Sequence, residues 1–466
     1  MFVGYILWLI LSRLTSPDVI GISSTVISLV VIFSVIVDLG VSRGSTLFLG
    51  KSFSEGQTQD ANVYVKASLI VVSSGILVCS LAILVFKEWI YPNIPSELVH
   101  ISILLVGLSA ISSLLRSVLI ASLQTQLLPI IMIVSSICKI ALTFTLILLG
   151  TGALGITVGY LSAYLSAAIL LFFVLRTTLK PLKQASTVNL YHACKNILLA
   201  SVASWVPRVI AVIGTRLGTI IVFGIEGAGQ AGFYFIAFSI YYAIAAVADS
   251  LSSILFPVLS GMKDQRKRFV WRMIKISLAV TLPISSAATL YSDEIMGLFG
   301  SDYVQASMSL KILLLSILPF TLNIAIGTLV YSYGNYRQVL AVGLGSSISR
   351  IICYFVLVPM YGNTGAAISF TLGSIIGFAV SAVVAKKIGM LIFWKELALI
   401  FIIPTIFSFV LEEFQVNYIV GVPVILVLSL IIYLALRVLS RSDLRDSLAI
   451  LPNRIGRPLT NLINKL

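Results

Sequence analysis

Eight charged side chains fall inside long apolar runs of this 466-residue sequence: the cations Arg116, Lys139, Arg208, Arg216, Lys311 and Arg350, and the carboxylates Asp38 and Asp249. A charge in hydrocarbon costs at least a few kcal/mol, so such groups face water, a partner or a ligand. Six cations against two acids leave a surplus of positive charge, which suits an anion. Arg208 and Arg216 stand two turns apart on nearly one face of a helix, so both guanidinium forks are placed to grip a diphosphate. Arg208, Arg216, Arg350, Lys139 and Arg116 are therefore candidates for substrate binding. Asp38 and Asp249 are candidates for ion coupling. Each has a plainer reading too. Arg116 and Lys311 can snorkel from helix ends, Arg208 can tie down carbonyls freed by Pro207, and Asp38 can cap a helix or pair with Arg43. Asp249 has no cation near it in the sequence.

Other chemistries lack their parts. His100 and His192 stand alone, and Cys79, Cys138, Cys194 and Cys353 show no CxxC or Cys/His spacing, so no metal site, disulfide framework or catalytic triad is indicated. Gly150-Thr-Gly152-Ala-Leu-Gly155 fits GxGxxG, but it lies between two apolar runs with no βαβ unit around it. It reads as a tight turn between helices. No catalytic residue and no cofactor is expected, and nothing reads as an enzyme.

The elements that position these charges follow from composition. With 59% hydrophobic and 10% charged residues, the chain is all-α and polytopic in a membrane, where helices satisfy their own backbone. Apolar runs predict about fourteen helices, near 2–14, 19–41, 63–86, 98–121, 127–149, 153–176, 197–223, 231–257, 271–291, 306–331, 337–358, 363–385, 392–411 and 418–438. Placing the N-terminus inside puts 23 cations, Lys275 among them, in cytoplasmic loops and the tail, and only Arg13 and Lys87 outside. Both termini are then cytoplasmic in a multi-pass cell membrane protein. The net charge of +14 is topology signal and contact with anionic membrane lipids, not nucleic-acid binding.

The chain also repeats itself. At an offset of 210 or 211 residues, Gly21 meets Gly232, Asp38 meets Asp249, Lys139 meets Arg350, and Gly152 and Gly155 meet Gly362 and Gly365. The small-residue stripe Gly155, Gly159, Ala163, Ala167 meets Gly365, Ser369, Gly373, Gly377, a spacing that lets helices approach closely. The offset spans six helices, so two parallel six-helix repeats are expected, followed by two further helices. The predicted division is an N-terminal lobe 1–176, a basic cytoplasmic linker 177–196, a C-terminal lobe 197–387, helices 13 and 14 over 388–438, and a basic cytoplasmic tail 439–466. Against the repeat the first helix is short for a ~30 Å core, and the true start is expected upstream of Met1.

SRLTSPDVIGISSTVISL resembles the opening "RLLxPExxGxxxxxxS" of polysaccharide transporters, and AGQAGFYFIAFSI their second-lobe "vGxYxxAxxi". Phe256-Pro257 resembles their "fP", and YGNTGAAIS their "yGxxGAAxa". The whole chain is thus similar to Wzx-type flippases of the multidrug/oligosaccharidyl-lipid/polysaccharide (MOP) exporter superfamily. The resemblance implies MATE-like lobes around a cationic cavity and alternating access. It also implies a substrate of oligosaccharide on a polyprenyl (pyro)phosphate for O-antigen-like assembly, a prenyl-tail groove at the last two helices, and partner proteins of polysaccharide assembly. The rivals are a multidrug or organic-cation exporter of the same superfamily, which wants acids in its lumen, and a membrane-embedded glycan polymerase or glycosyltransferase, which wants a large external loop.

Overall fold

The computed structural model describes residues 2–55, 58–178, 189–262 and 264–439. Most of the linker, with Lys180 and Lys183, and the tail from 440 lie outside the described residues, as do the side chains of Phe256 and Pro257. Every element among the described residues is helical, as a chain must be where no water can bond its backbone. Eleven of these helices are long and apolar enough to cross a membrane, or twelve if one pair bent by 43° is a single span. The fourteen expected are not reached on length and composition. The first helix has 13 residues, and runs 337–358 and 363–385, counted once among the eleven as the stretch Tyr336–Lys387, are two helices that meet at the non-helical Gly362.

Two compact units divide the chain, Ile10–Gly232 and the stretch from Phe233 onward joined by the residues up to Leu9. The N-terminal unit holds the end of α1 (Phe2–Leu14) from Ile10, then α2 (Pro17–Asp38), α3 (Val41–Ser54), α4 (Thr58–Val85), α5 (Lys87–Ile90), α6 (Ser96–Ala121), α7 (Leu128–Leu148), α8 (Ala153–Thr178) and α9 (Leu190–Glu226). The run 19–41 is not one straight helix: Leu39 and Gly40 both have positive φ, +47° and +76°, and α3 restarts beyond them. Helix α9 begins seven residues earlier than its apolar run, because the Asn189 side chain accepts from Tyr191 N at 3.1 Å and caps it.

The C-terminal unit comprises α10 (Ala228–Gly261), whose first turn belongs to the other unit, α11 (Arg266–Leu290), α12 (Ser292–Gly297), α13 (Ser307–Leu314), α14 (Ile317–Ser332), α15 (Tyr336–Lys387), α16 (Trp394–Glu413) and α17 (Tyr418–Ala435). The start of α1 docks on this unit through Tyr5 against Phe299 and Trp8 against Phe235, with ring centroids 5.7 and 4.7 Å apart. Lys275, read from sequence as a loop cation, is buried inside α11. Its Nζ lies 3.4 Å from Glu396 Oε2 and donates to Val438 O at 3.1 Å, while Trp271 Nε1 donates to the same carboxylate at 2.9 Å. One buried lysine thus ties α11 to α16 and to the segment just after α17, with a carboxylate and a carbonyl in place of water.

The repeat is written into the backbone. Gly152 and Gly362 share a φ of +56°, a region open to glycine at no steric cost. Behind each, a helix folds back on the one before it: Gly155 lies against Leu146, and Gly365 against the Leu357 carbonyl. A second pair of equivalent glycines meets face to face within the N-terminal unit. A Cβ on Gly21 would collide with Ala228 O, and one on Gly232 with Pro17 O. Pro17 and Ala228 are themselves repeat equivalents, so the crossing of α2 with the first turn of α10 is two-fold in character.

Overpacking a helix contact costs about 1–3 kcal/mol. Gly21→Ala and Gly232→Ala should each lower the melting temperature of the purified protein in detergent, whereas Gly4→Ala, with open space around it, should not. Equal melting of all three would show that α2 and α10 do not touch backbone to backbone.

Candidate functional site

The end of α2 and the middle of α9 build a polar cavity of the N-terminal unit. Without a Cβ, Gly40 and Gly44 admit α9 closely: a Cβ on Gly40 would meet Ser201 O at 2.8 Å and Trp205 at 3.0 Å. Trp205 Nε1 donates to Val35 O at 2.8 Å, and the adjoining Pro207 removes one backbone donor from α9. This docking sets the next residue, Arg208, beside Asp38. Arg208 Nη1 lies 3.7 Å from Asp38 Oδ2, with the arginine 38% and the aspartate 5% exposed. Asp38 Oδ1 also accepts from Ser42 N at 3.3 Å and from Ser42 Oγ.

Around this pair lies a cavity of about 170 Å³ walled by α2, α6, α8 and α9, with Ser34, Ser109, Ser112, Ser113, Arg116 and Tyr164 among its lining. Arg116 and Arg208 line the space, and Arg216, outside its lining, lies near enough to act electrostatically on Tyr164, as Arg116 does. Two guanidinium groups and one carboxylate line the cavity, and its serine hydroxyls come from Ser34 on α2 and from Ser109, Ser112 and Ser113, a stripe at helical spacing on α6. That stripe was visible in the sequence and is a polar wall rather than packing alone.

The structure does not bring the remaining candidates to this place. Lys139 on α7 lies over the Tyr160 ring of α8, 4.6 Å from its centroid, and Arg350 in α15 lies over Phe370, at 4.0 Å. Tyr160 and Phe370 are repeat equivalents too, so the cation and its aromatic seat were duplicated together. The wet cavity that the sequence suggests for Arg350 is absent here. This arginine is 4% exposed, donates to Ser374 Oγ at 2.8 Å, and sits among Tyr234, Tyr241 and Tyr354, because Gly373 lacks the Cβ that would displace it. Asp38 finds its cation in Arg208 rather than Arg43. Asp249 is half-buried on α10, and Lys311 faces a separate pocket of the C-terminal unit. Among the described residues no group of three or more His, Cys, Asp or Glu could hold a metal.

A family model described as polysaccharide biosynthesis protein matches residues 1–263. A protein of Haloferax volcanii named probable flippase AglR is 23% identical over 257 residues, covering 52% of each chain, so the alignment spans about half the length of that curated relative. Among solved structures, a lipid II flippase MurJ in an inward closed conformation has a TM-score of 0.68 at 16% identity, over 93% of this chain and 97% of that one. An inward-facing multidrug resistance MATE family transporter of the MOP superfamily has a TM-score of 0.63 at 14% identity, over 81% and 94%. At such identities the likeness shows the fold, which is the MOP-type helical fold.

The Asp38–Arg208 pair is testable by a double-mutant cycle. Asp38→Asn and Arg208→Gln should each lower thermal stability by about 1 kcal/mol or more, and the double variant by less than the two together, because the second change removes an already orphaned group. Strict additivity would mean that the two do not interact.

Proposed function

The chain belongs to the polysaccharide biosynthesis protein family, and from that membership we propose that it is a flippase in the cell membrane. The proposed activity carries a polyprenyl (pyro)phosphate-linked oligosaccharide from the cytoplasmic to the external leaflet by alternating access, for surface polysaccharide or glycan assembly. The observation that carries this reading is the charge of the cavity in the N-terminal unit. Arg116 and Arg208 line it with one carboxylate, Asp38, and Arg216 acts electrostatically on the lining Tyr164. Neither Arg116 nor Arg216 has an ion-pair partner among the described residues. A (pyro)phosphate entering a low-dielectric space needs counter-charge, and guanidinium supplies it with two parallel donors.

Ser109 and Ser112 on α6 give their protons to backbone carbonyls, so their oxygens suit the hydroxyl donors of a sugar. The same surplus disfavours an organic cation, the cargo of the multidrug reading that shares this fold. Lys139 and Arg350 join the proposed site only in a conformation that frees them from their rings, and Asp249 is the proposed coupling carboxylate. The two six-helix lobes, 1–176 and 197–387, are the proposed moving parts, with both termini cytoplasmic.

In proteoliposomes loaded with lipid-linked oligosaccharide, Arg116→Ala and Arg216→Ala should slow flipping by about tenfold or more, the worth of a charge-assisted hydrogen bond. Arg216→Lys should keep part of the rate, since it offers charge without the fork. Parental rates in both alanine variants would refute the anionic-headgroup cavity. Single cysteines at Glu226 and Asp302 should label from outside intact cells, and one at Lys267 only after permeabilisation. Labelling of all three from one side would overturn the topology.

A further inference from the structure

The C-terminal unit carries a second pocket, of about 190 Å³, that the transport reading does not use. It lies where α11, α13 and α16 meet, and its lining includes Lys311, Glu412, Thr289, Thr405 and Ser408. Lys311 and Glu412 face this one space, yet neither makes an ion pair or hydrogen bond among the described residues. An ammonium and a carboxylate that share a pocket and stay apart leave room for a ligand that carries both charges in the opposite order.

The hydroxyls narrow its chemistry. Thr289 donates its proton to Ser285 O at 2.9 Å, Thr405 to Phe401 O at 2.8 Å, Ser408 to Pro404 O at 3.0 Å, and Ser285 to Leu314 O at 3.2 Å. With those protons committed to the backbone, the oxygens offer only lone pairs. Four acceptor hydroxyls and a carboxylate suit a group with several N–H donors, a primary ammonium, while Lys311 suits a phosphate. The rings of Phe401 and Phe409 complete the wall and give acyl chains an apolar exit.

We propose that this pocket binds the headgroup of a zwitterionic phospholipid bearing a primary ammonium, with its phosphate on Lys311 and its ammonium on Glu412 and the surrounding hydroxyl oxygens. The site is a lipid-binding site on α11, α13 and α16, independent of the transported cargo. By the charge distribution of the loops it opens toward the external leaflet.

Native mass spectrometry of the purified full-length protein tests this, with phosphatidylethanolamine, its N-methylated derivatives, phosphatidylcholine and phosphatidylglycerol of one acyl composition. Phosphatidylethanolamine should be retained about tenfold more strongly than phosphatidylcholine, with retention falling at each N-methylation as a donor is lost. Glu412→Gln should erase that preference, and Lys311→Gln should weaken retention of every phospholipid tested. Equal retention of the ethanolamine and choline lipids by the unaltered protein would overturn the proposal. So would stronger retention of phosphatidylglycerol, or a preference that survives Glu412→Gln. The readout is lipid retention rather than flipping, so its failure is separate from failure of the transport reading.

Discussion

A charge inside a membrane must be given somewhere to stand, and this constraint organises the molecule. Hydration of an ion is worth many kcal/mol, and the interior recovers it only by partners or stacking rings. Four different housings appear. Asp38 has a guanidinium and a serine. Lys275 has a carboxylate and a carbonyl. Arg350 and Lys139 have aromatic faces. Arg116 and Arg216 share the surroundings of one tyrosine beside a cavity. In the first three the protein itself supplies the partner or the ring, whereas Arg116 and Arg216 have no ion-pair partner among the described residues. The proposed transport role rests on that difference in how far the partner set is completed.

Duplication explains why some of these housings come in twos. The Lys139–Tyr160 and Arg350–Phe370 stacks occupy matching places in hairpins that turn at matching glycines, Gly152 and Gly362. Their surroundings have since diverged. Lys139 keeps a partly exposed seat, while Arg350 is sealed among tyrosines. The Asp38 and Asp249 pair diverged further, one carboxylate being bound to Arg208 and the other left half-exposed on α10. An inherited position need not keep an inherited role.

The sequence displays what depends on local order. Helical spans, the turns at Gly152 and Gly362, the repeat and the intramembrane charges are all legible, because hydropathy and glycine act within a few residues. It hides what depends on distant segments. Nothing near Asp38 announces that its cation is Arg208, since the contact exists only because Gly40 and Gly44 let α9 lie against α2. Lys275 reads as one more basic residue after the Arg266–Arg268 cluster, and its burial follows from Glu396 and Val438, more than a hundred residues on. The break at Leu39–Gly40 is missed for another reason: the apolar run continues through it, so only the backbone angles betray the change of direction.

The glycine crossing of α2 and α10 has a mechanical meaning. Helices usually mesh by side-chain ridges seated in grooves, and changing their angle means lifting one set of teeth out of the other. At Gly21 and Gly232 there are no teeth. Two smooth backbones touch, each glycine against the carbonyl of the opposing strand of the repeat. Such a contact is set by main chain alone: α2 and the first turn of α10 stand as near as two helices can, and hydrogen is the largest side group that either position tolerates.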